Sequence, residues 1–235
     1  PFSLEDGYWS TNLSTNTSRI YTASSSDFDL STSNFCYEGW IWANDPGALN
    51  YSRFLGLGPF FNNVNSFGLL IEDQDTSDYI TVYWDDGTLG RKLVSSSTLP
   101  ANQWNHLAVV RDGSNFALFL NGTRIATYSS SGAIGSGNRY AYVGHTGNLT
   151  EGYIGYFSNV RLVKGSSVYD PTQATLTVPT SPLTAITNTV FLVGQSNRFI
   201  DNSDSSHSLT VNGNSKVTED IPFEYLQRQT KLITC

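Results

Sequence analysis

The sequence predicts an all-β chain folded as a two-sheet antiparallel β-sandwich, and three observations carry that prediction. The first is Trp104-Asn105-His106-Leu107-Ala108-Val109-Val110-Arg111-Asp112 with the segment Phe116 to Thr127 after it, two antiparallel connections in succession. Asp112-Gly113-Ser114-Asn115 reverses the chain once and Asn121-Gly122 reverses it again. Asn-Gly suits a type I′ hairpin because both central residues need φ > 0. The second is apolar character on both faces of the Trp104 segment, the mark of a strand covered from two sides. The third is composition: 13% aromatic and 14% charged residues, with Ser, Thr, Asn and Gly between them. That balance suits short strands broken by turns roughly every 8 to 12 residues, whereas a helical chain needs more Glu, Lys, Leu and Ala.

Taken in order, Tyr8 to Ser10 and Arg19 to Thr22 read as short edge strands separated by a polar loop, and Ser24 to Leu30 as a turn around one buried aromatic, Phe28. Phe35 to Ala43 is a strong strand, with Phe35, Tyr37 and Ile41 on one face and Cys36, Trp40 and Trp42 on the other. Asn44-Asp45-Pro46-Gly47 forces a turn. Arg53 to Leu57, Ser66 to Glu72, Tyr79 to Asp85 and Arg91 to Ser95 follow as strands, then the Trp104 pair, Tyr140 to Gly144 and Ile154 to Leu162. Prolines 171, 179 and 182 make Tyr169 to Leu183 an extended surface segment. Asn188 to Gly194 and Ser208 to Asn212 are the last strands, and Phe223 to Gln229 has the makings of a short helix. The sandwich spans 1–195, and 196–235 is a C-terminal extension packing on or beside it.

A formal charge of −7 opposes nucleic acid and anionic membranes as partners, and no apolar run is long enough to insert in a membrane. The two cysteines, Cys36 and Cys235, make no disulfide framework; a buried free thiol at Cys36 is the preferred reading. Five Asn-x-Ser/Thr sequons, at Asn12, Asn16, Asn50, Asn121 and Asn148, arise easily by chance in such a composition. Met is absent, so Pro1 follows a removed initiator, a processed end or a cut from a longer chain.

No catalytic set emerges. Asp73-Gln74-Asp75-Thr76-Ser77-Asp78 has the spacing of paired carboxylates on one strand, but its Asp/Ser/Thr mix reads as a solvated hairpin tip. A structural Ca²⁺ stays open, since Asp27, Asp29, Asp73, Asp75, Asp78, Asp85 and Asp86 are loop carboxylates, without a defined ligand set. His106, His145 and His207 are too scattered for a transition-metal or triad signature, and Ser131 to Gly137 is a flexible Gly/Ser loop. Sugar stacking needs exposed aromatics beside polar groups, and Tyr51, Tyr79, Tyr83, Trp84, Tyr140 and Tyr142 are the glycan-binding candidates.

Three blocks resemble the concanavalin A-like, laminin G-type jelly roll: Ser25 to Leu30 with Asn34 to Trp42; Trp104 to Arg111 with Phe119 to Gly122; and Gly152 to Gly165 with Val168-Tyr169. The resemblance implies two curved sheets face to face and no particular activity. Where the family often has an acidic residue in Gly-Tyr-Ile-Asp, this chain has Gly155. The arrangement continues through Pro179 to Gly194, Phe199 to Ser203, Leu209 to Asn214 and Ile221 to Phe223. In that longer form it is similar to laminin G-like modules of tailed-phage virion proteins, those of cyanobacterial phages above all. The resemblance implies a non-enzymatic structural protein on the particle surface, in a tail fibre, adhesin or capsid decoration. Its partners would be other virion proteins and host-surface polysaccharide, its state a homo-oligomer, and it would need no cofactor. A secreted cellular lectin-like or adhesion domain is the alternative, and a glucanase-type hydrolase a remote one.

Overall fold

The computed structural model describes residues 6–44, 52–58, 66–74, 77–85, 89–135, 137–144 and 152–224, and leaves out the side chains of 72–74, 77, 78, 89 and 91. Strands β1 to β5 are Ser10–Leu13, Arg19–Thr22, Phe35–Ala43, Ser52–Leu57 and Phe67–Gln74. Strands β6 to β10 are Ser77–Asp85, Leu89–Thr98, Trp104–Asp112, Asn115–Leu120 and Thr123–Ser129. Strands β11 to β15 are Ala141–Val143, Gly155–Lys164, Thr189–Val193, Leu209–Asn212 and Ser215–Thr218. One 3-10 turn, Ser26–Phe28, is the sole helical element among the described residues. The first sheet runs β10-β9-β8-β3-β12-β1-β15, with β13 also paired to β12; the second runs β14-β2-β11-β4-β5-β6-β7. Every pairing between these strands is antiparallel. The expected two-sheet sandwich is what forms.

Alternation along each strand decides what enters the core. Phe35, Tyr37 and Ile41 of β3 meet Leu69, Ile80, Val82 and Trp84 of the second sheet in one continuous apolar cluster. Each such burial stabilises by about 1.5–3 kcal/mol. Trp84 stacks on Phe116 with centroids 4.7 Å apart. The Asn121-Gly122 turn takes φ of +48° and +84°, as type I′ requires. A Cβ at Gly122 would sit 2.9 Å from the Leu176 carbonyl oxygen, so this turn also needs glycine for close approach.

The outer face of the first sheet explains why β8 is apolar on both sides. Residues 165–188 form an extended strap across it. Val168, Tyr169 and Leu176 pack on Cys36, Ala108, Val110, Ala117 and Phe119. Leu176 donates its N–H to the Gly122 carbonyl at 2.8 Å, and Arg124 donates to the Pro171 and Thr172 carbonyls. The proline-rich segment is extended as expected, yet it buries anchors rather than merely lying on the surface. Cys36 is buried without a disulfide partner, and burial pushes its thiol pKa up.

Several details differ from expectation. The two strands read as edges, β1 and β2, are interior, because β15 lies outside β1 and β14 outside β2. The first strand begins at Ser10, not Tyr8, because Thr11 and Leu13 pair with Phe157 and Gly155 of β12. Ser215–Thr218 was not foreseen: a polar tetrapeptide becomes a strand because β1 offers it an edge. The Gly/Ser loop expected to be flexible is pinned, since Ile134 is fully buried and Arg111 donates to the Gly132 carbonyl at 3.0 Å. The C-terminal region supplies one of the two edge strands of each sheet, β15 in the first and β14 in the second. The turn expected over Asn44 to Gly47 lies outside the described residues beyond Asn44, as does the helix expected over Phe223 to Gln229 beyond Glu224; Phe223 and Glu224 themselves are not helical.

Candidate functional site

The aromatics singled out in the sequence scatter over the second sheet. Tyr51 lies outside the described residues. Trp84 is a correction: fully buried between the sheets, it offers no ring face to a ligand, because even positions of β6 point inward. Tyr79 and Tyr83 are half-buried on the opposite face of β6. The structure does bring Tyr140 and Tyr142 together, with centroids 6.0 Å apart, and stacks Tyr142 on Tyr21 at 5.7 Å. Arg19 lies over Tyr21 at 5.1 Å. Tyr142 is therefore 8% exposed, its face used by a neighbour, while Tyr140 stays open.

A recess lies on the first sheet instead. Register places Trp42 of β3 directly between Trp104 of β8 and Tyr156 of β12. These three line a recess of about 400 Å³ with Asn44, Asp220 and Ile221. Small-molecule sites start at about 300 Å³. The rings form a corner rather than a flat platform: Trp104 stands at 74° to Trp42, 6.1 Å away, and at 63° to Tyr156, 6.4 Å away. All three are half-buried. Trp42 donates Nε1–H to Asn44 Oδ1 at 3.0 Å, which leaves the Asn44 amide donors outward. Among the described residues, no protein group pairs with the Trp104 indole N–H or the Tyr156 hydroxyl. Such a site presents ring faces and polar tips together, on rigid strands.

Nothing in the linear sequence singles out Trp42, Trp104 and Tyr156, which read as ordinary strand residues. Their convergence depends on the order β8-β3-β12. The one local signal is position: Trp42 ends its strand just before a turn, and Trp104 begins its own just after a loop.

Four residues along the same face of β3, Glu38 is completely buried. Its Oε1 accepts from Arg161 Nη2 at 2.6 Å and Nε at 3.2 Å; its Oε2 accepts from Tyr169 Oη at 2.8 Å and His106 Nε2 at 3.2 Å. Arg161 Nη1 donates onward to the Thr184 carbonyl at 2.8 Å. Burial alone would raise the Glu38 pKa, but the His106 hydrogen bond and the Arg161 charge together hold it below the ordinary value. Tyr169 is driven the other way, up, by burial and by the Glu38 charge. His106 is thus hydrogen-bonded to Glu38 on the outer face of the first sheet, under the strap. One bulge makes the geometry work. Asn159, at φ +52°, shifts the β3–β12 register between Ser158 and Arg161. Its amide bonds the Gly7 carbonyl, the Leu183 N–H and the Gln195 side chain.

Among the described residues, the carboxylates weighed for catalysis or calcium form no cluster. Asp73 and Asp78 are register partners across the β5–β6 hairpin, on two strands rather than one, and Asp75 and Asp86 lie outside the described residues. Asp27 approaches His207 at 3.0 Å, and Asp29 accepts from the Gly137 N–H. Among the described residues no three His, Cys, Asp or Glu side chains gather as a metal cluster.

Comparison with known proteins agrees on architecture. No curated protein sequence matches the chain. Among solved structures, a heptameric SAP-like pentraxin from Limulus polyphemus is similar at TM-score 0.59 and 12% identity, over 92% of this chain and 96% of that one. A candidate carbohydrate-binding protein from Bacteroides ovatus is similar at TM-score 0.62 and 18% identity, over 94% of this chain and 62% of that one, under two thirds of its length. Full-length tailspike protein 2 of an Escherichia coli O157:H7 bacteriophage is similar at TM-score 0.49 and 15% identity, over 78% of this chain and 30% of that one. Likeness at such identities shows the fold alone. Residues 14–167, more than half of the sequence, match a family described as the concanavalin A-like lectin/glucanases superfamily, and the chain belongs to it.

Proposed function

We propose that this protein is a non-catalytic glycan-binding module, with the Trp42–Trp104–Tyr156 corner as its sugar site. The observation that carries the reading is the corner itself: three half-buried rings on paired strands, with the Trp104 N–H and the Tyr156 hydroxyl unpaired among the described residues. Ring faces take the apolar faces of a pyranose, and the polar tips fix its hydroxyls. The Bacteroides ovatus protein of the same fold, itself a candidate carbohydrate-binding protein, is in keeping with this. Among the described residues the recess contains one carboxylate, Asp220, whereas glycoside hydrolysis by the usual route needs two.

We place the module on the virion surface of a tailed phage, as a tail-fibre, adhesin or capsid-decorating component. Support comes from the resemblance of the arrangement Pro179 to Phe223 to phage laminin G-like modules. Among the described residues no helix is long and apolar enough to cross a membrane. Other virion proteins and host-surface polysaccharide are then the partners, and copies of the chain associate with one another.

Two measurements test this. On a glycan array the wild-type chain binds at least one oligosaccharide, Trp104→Ala loses it, and no reducing sugar is released on incubation; release of sugar overturns the non-catalytic reading. Co-purification with intact phage particles supports the virion placement, and recovery only from a cellular secretion favours the lectin-like alternative.

A further inference from the structure

Resting on the glycan reading, we infer that Asp220 makes the corner selective for neutral pyranose units against acidic ones. Among the described residues, Asp220 is the one charged residue lining the recess, which it shares with three aromatic rings. No described lining residue is basic. The nearest basic residue along the same cross-strand row is Lys216. Asn12 separates it from Tyr156, and its place on the outer strand β15 keeps it out of the recess. A uronic or sialic carboxylate would enter beside Asp220 with no cation to offset it. At a separation of about 6 Å near a protein surface, a like charge disfavours binding by roughly 10- to 100-fold. The same carboxylate is a strong acceptor for the hydroxyls of a neutral ring.

The position of Asp220 is built, not incidental. Strand β15 pairs with β1 through Thr218 opposite Ser10, which brings the chain to the rim of the recess. Two residues on, Thr218 Oγ1 donates to Asp220 Oδ2 and accepts from the Asp220 N–H, both at 3.4 Å. Beyond it, Phe223 is 7% exposed and packs edge-on against Trp40, 5.5 Å away, and Tyr8, 6.5 Å away. The last strand and this aromatic anchor fix the carboxylate from both sides. Asp220 Oδ1 has no protein partner among the described residues.

The test is calorimetric titration of the whole chain against trisaccharides of gluco, galacto and manno configuration and their C6-oxidised uronic counterparts. Wild type, Asp220→Asn and the control Asp204→Asn, an exposed carboxylate outside the recess, are compared. The wild type binds a neutral member at least tenfold better than its uronic counterpart. Asp220→Asn narrows that ratio tenfold or more, while Asp204→Asn leaves it unchanged. A wild type that prefers the uronic member, or a ratio equally untouched by Asp220→Asn, overturns the selectivity while leaving the glycan reading standing. If no member binds but Trp104→Ala abolishes array binding to an acidic glycan, the selectivity alone falls. If nothing binds in either format, the glycan reading falls and the selectivity with it.

Discussion

On one face of one strand, two rows of side chains four residues apart meet opposite fates. At Trp42 the row Trp104–Trp42–Tyr156 is half-open; at Glu38 the row is sealed beneath the strap and carries an ionised carboxylate. The difference lies in what covers each row. Tyr169 and Thr184 of the strap close over Glu38 and Arg161, and Phe223 closes over Trp40 between the two rows. Among the described residues, coverage ends there. Where a lid exists, polar groups must satisfy one another inside the protein; where it ends, they are left for a ligand. A buried charge is tolerated only with nearly all its lone pairs engaged, and Glu38 accepts five hydrogen bonds, the fifth from the Cys36 thiol.

Breaking the sealed row has the largest effect. Glu38→Ala leaves the Arg161 guanidinium buried without its counter-charge, at a cost of about 3–5 kcal/mol. Urea denaturation reads it directly, and sugar affinity in the surviving folded fraction stays within about twofold, because the corner shares no partner with Glu38. Next comes Tyr169→Phe. It removes one hydrogen bond to a charged acceptor under the strap, about 1.5–3 kcal/mol, and it raises protease sensitivity between 165 and 188. An unchanged cleavage pattern there would sink the idea that Tyr169 fastens the strap.

The open row sharpens the comparison in the opposite sense. Trp42→Ala lowers glycan affinity at least tenfold, an aromatic anchor lost at the centre of a recess, while changing stability by about 1 kcal/mol, since the ring is only half-buried. A variant that loses stability and keeps affinity would mean the corner is structural.

How far these two rows are legible in the sequence depends on the range of the interactions that build them. Period-two alternation is local, so Phe35–Ala43 and Trp104–Asp112 could be read residue by residue. The apolar outer face of β8 was also visible, although its cause, Val168, Tyr169 and Leu176 of the strap, was not. Sheet order is non-local. Trp42, Trp104 and Tyr156 stand 62 and 52 positions apart in the chain, and only the order β8-β3-β12 aligns them. The same holds for Glu38 with Arg161 and His106, which pair across two neighbouring strands and a bulge. Trp84 misled for the converse reason: an aromatic beside acidic turn residues resembles an exposed platform, yet strand parity points it inward. Ser215–Thr218 has no apolar alternation at all, and its strand state comes wholly from the edge that β1 presents.

The smallest effect is also the most specific to the sealed row. The Glu38 pKa lies below its ordinary value near 4.5 because Arg161 and His106 outweigh the cost of burial. In the unfolded chain the group returns to that ordinary value. As pH falls below about 4.5, the unfolded state takes up the proton first, and linkage removes the stabilisation progressively until the folded-state pKa is passed. Above that window the contribution is complete and constant. Asp170 titrates in the same sense, held low by the hydroxyl and N–H of Thr172, and lies on the surface. The wild type alone therefore does not isolate Glu38. Glu38→Gln does: its destabilisation relative to wild type is full at neutral pH and shrinks on acidification through this window, while Asp170 contributes equally to both chains. Parallel stability curves for the two proteins between pH 6 and 3 would show that the buried carboxylate is not held ionised by its partners, and the contrast between the sealed row and the open one would lose its electrostatic half.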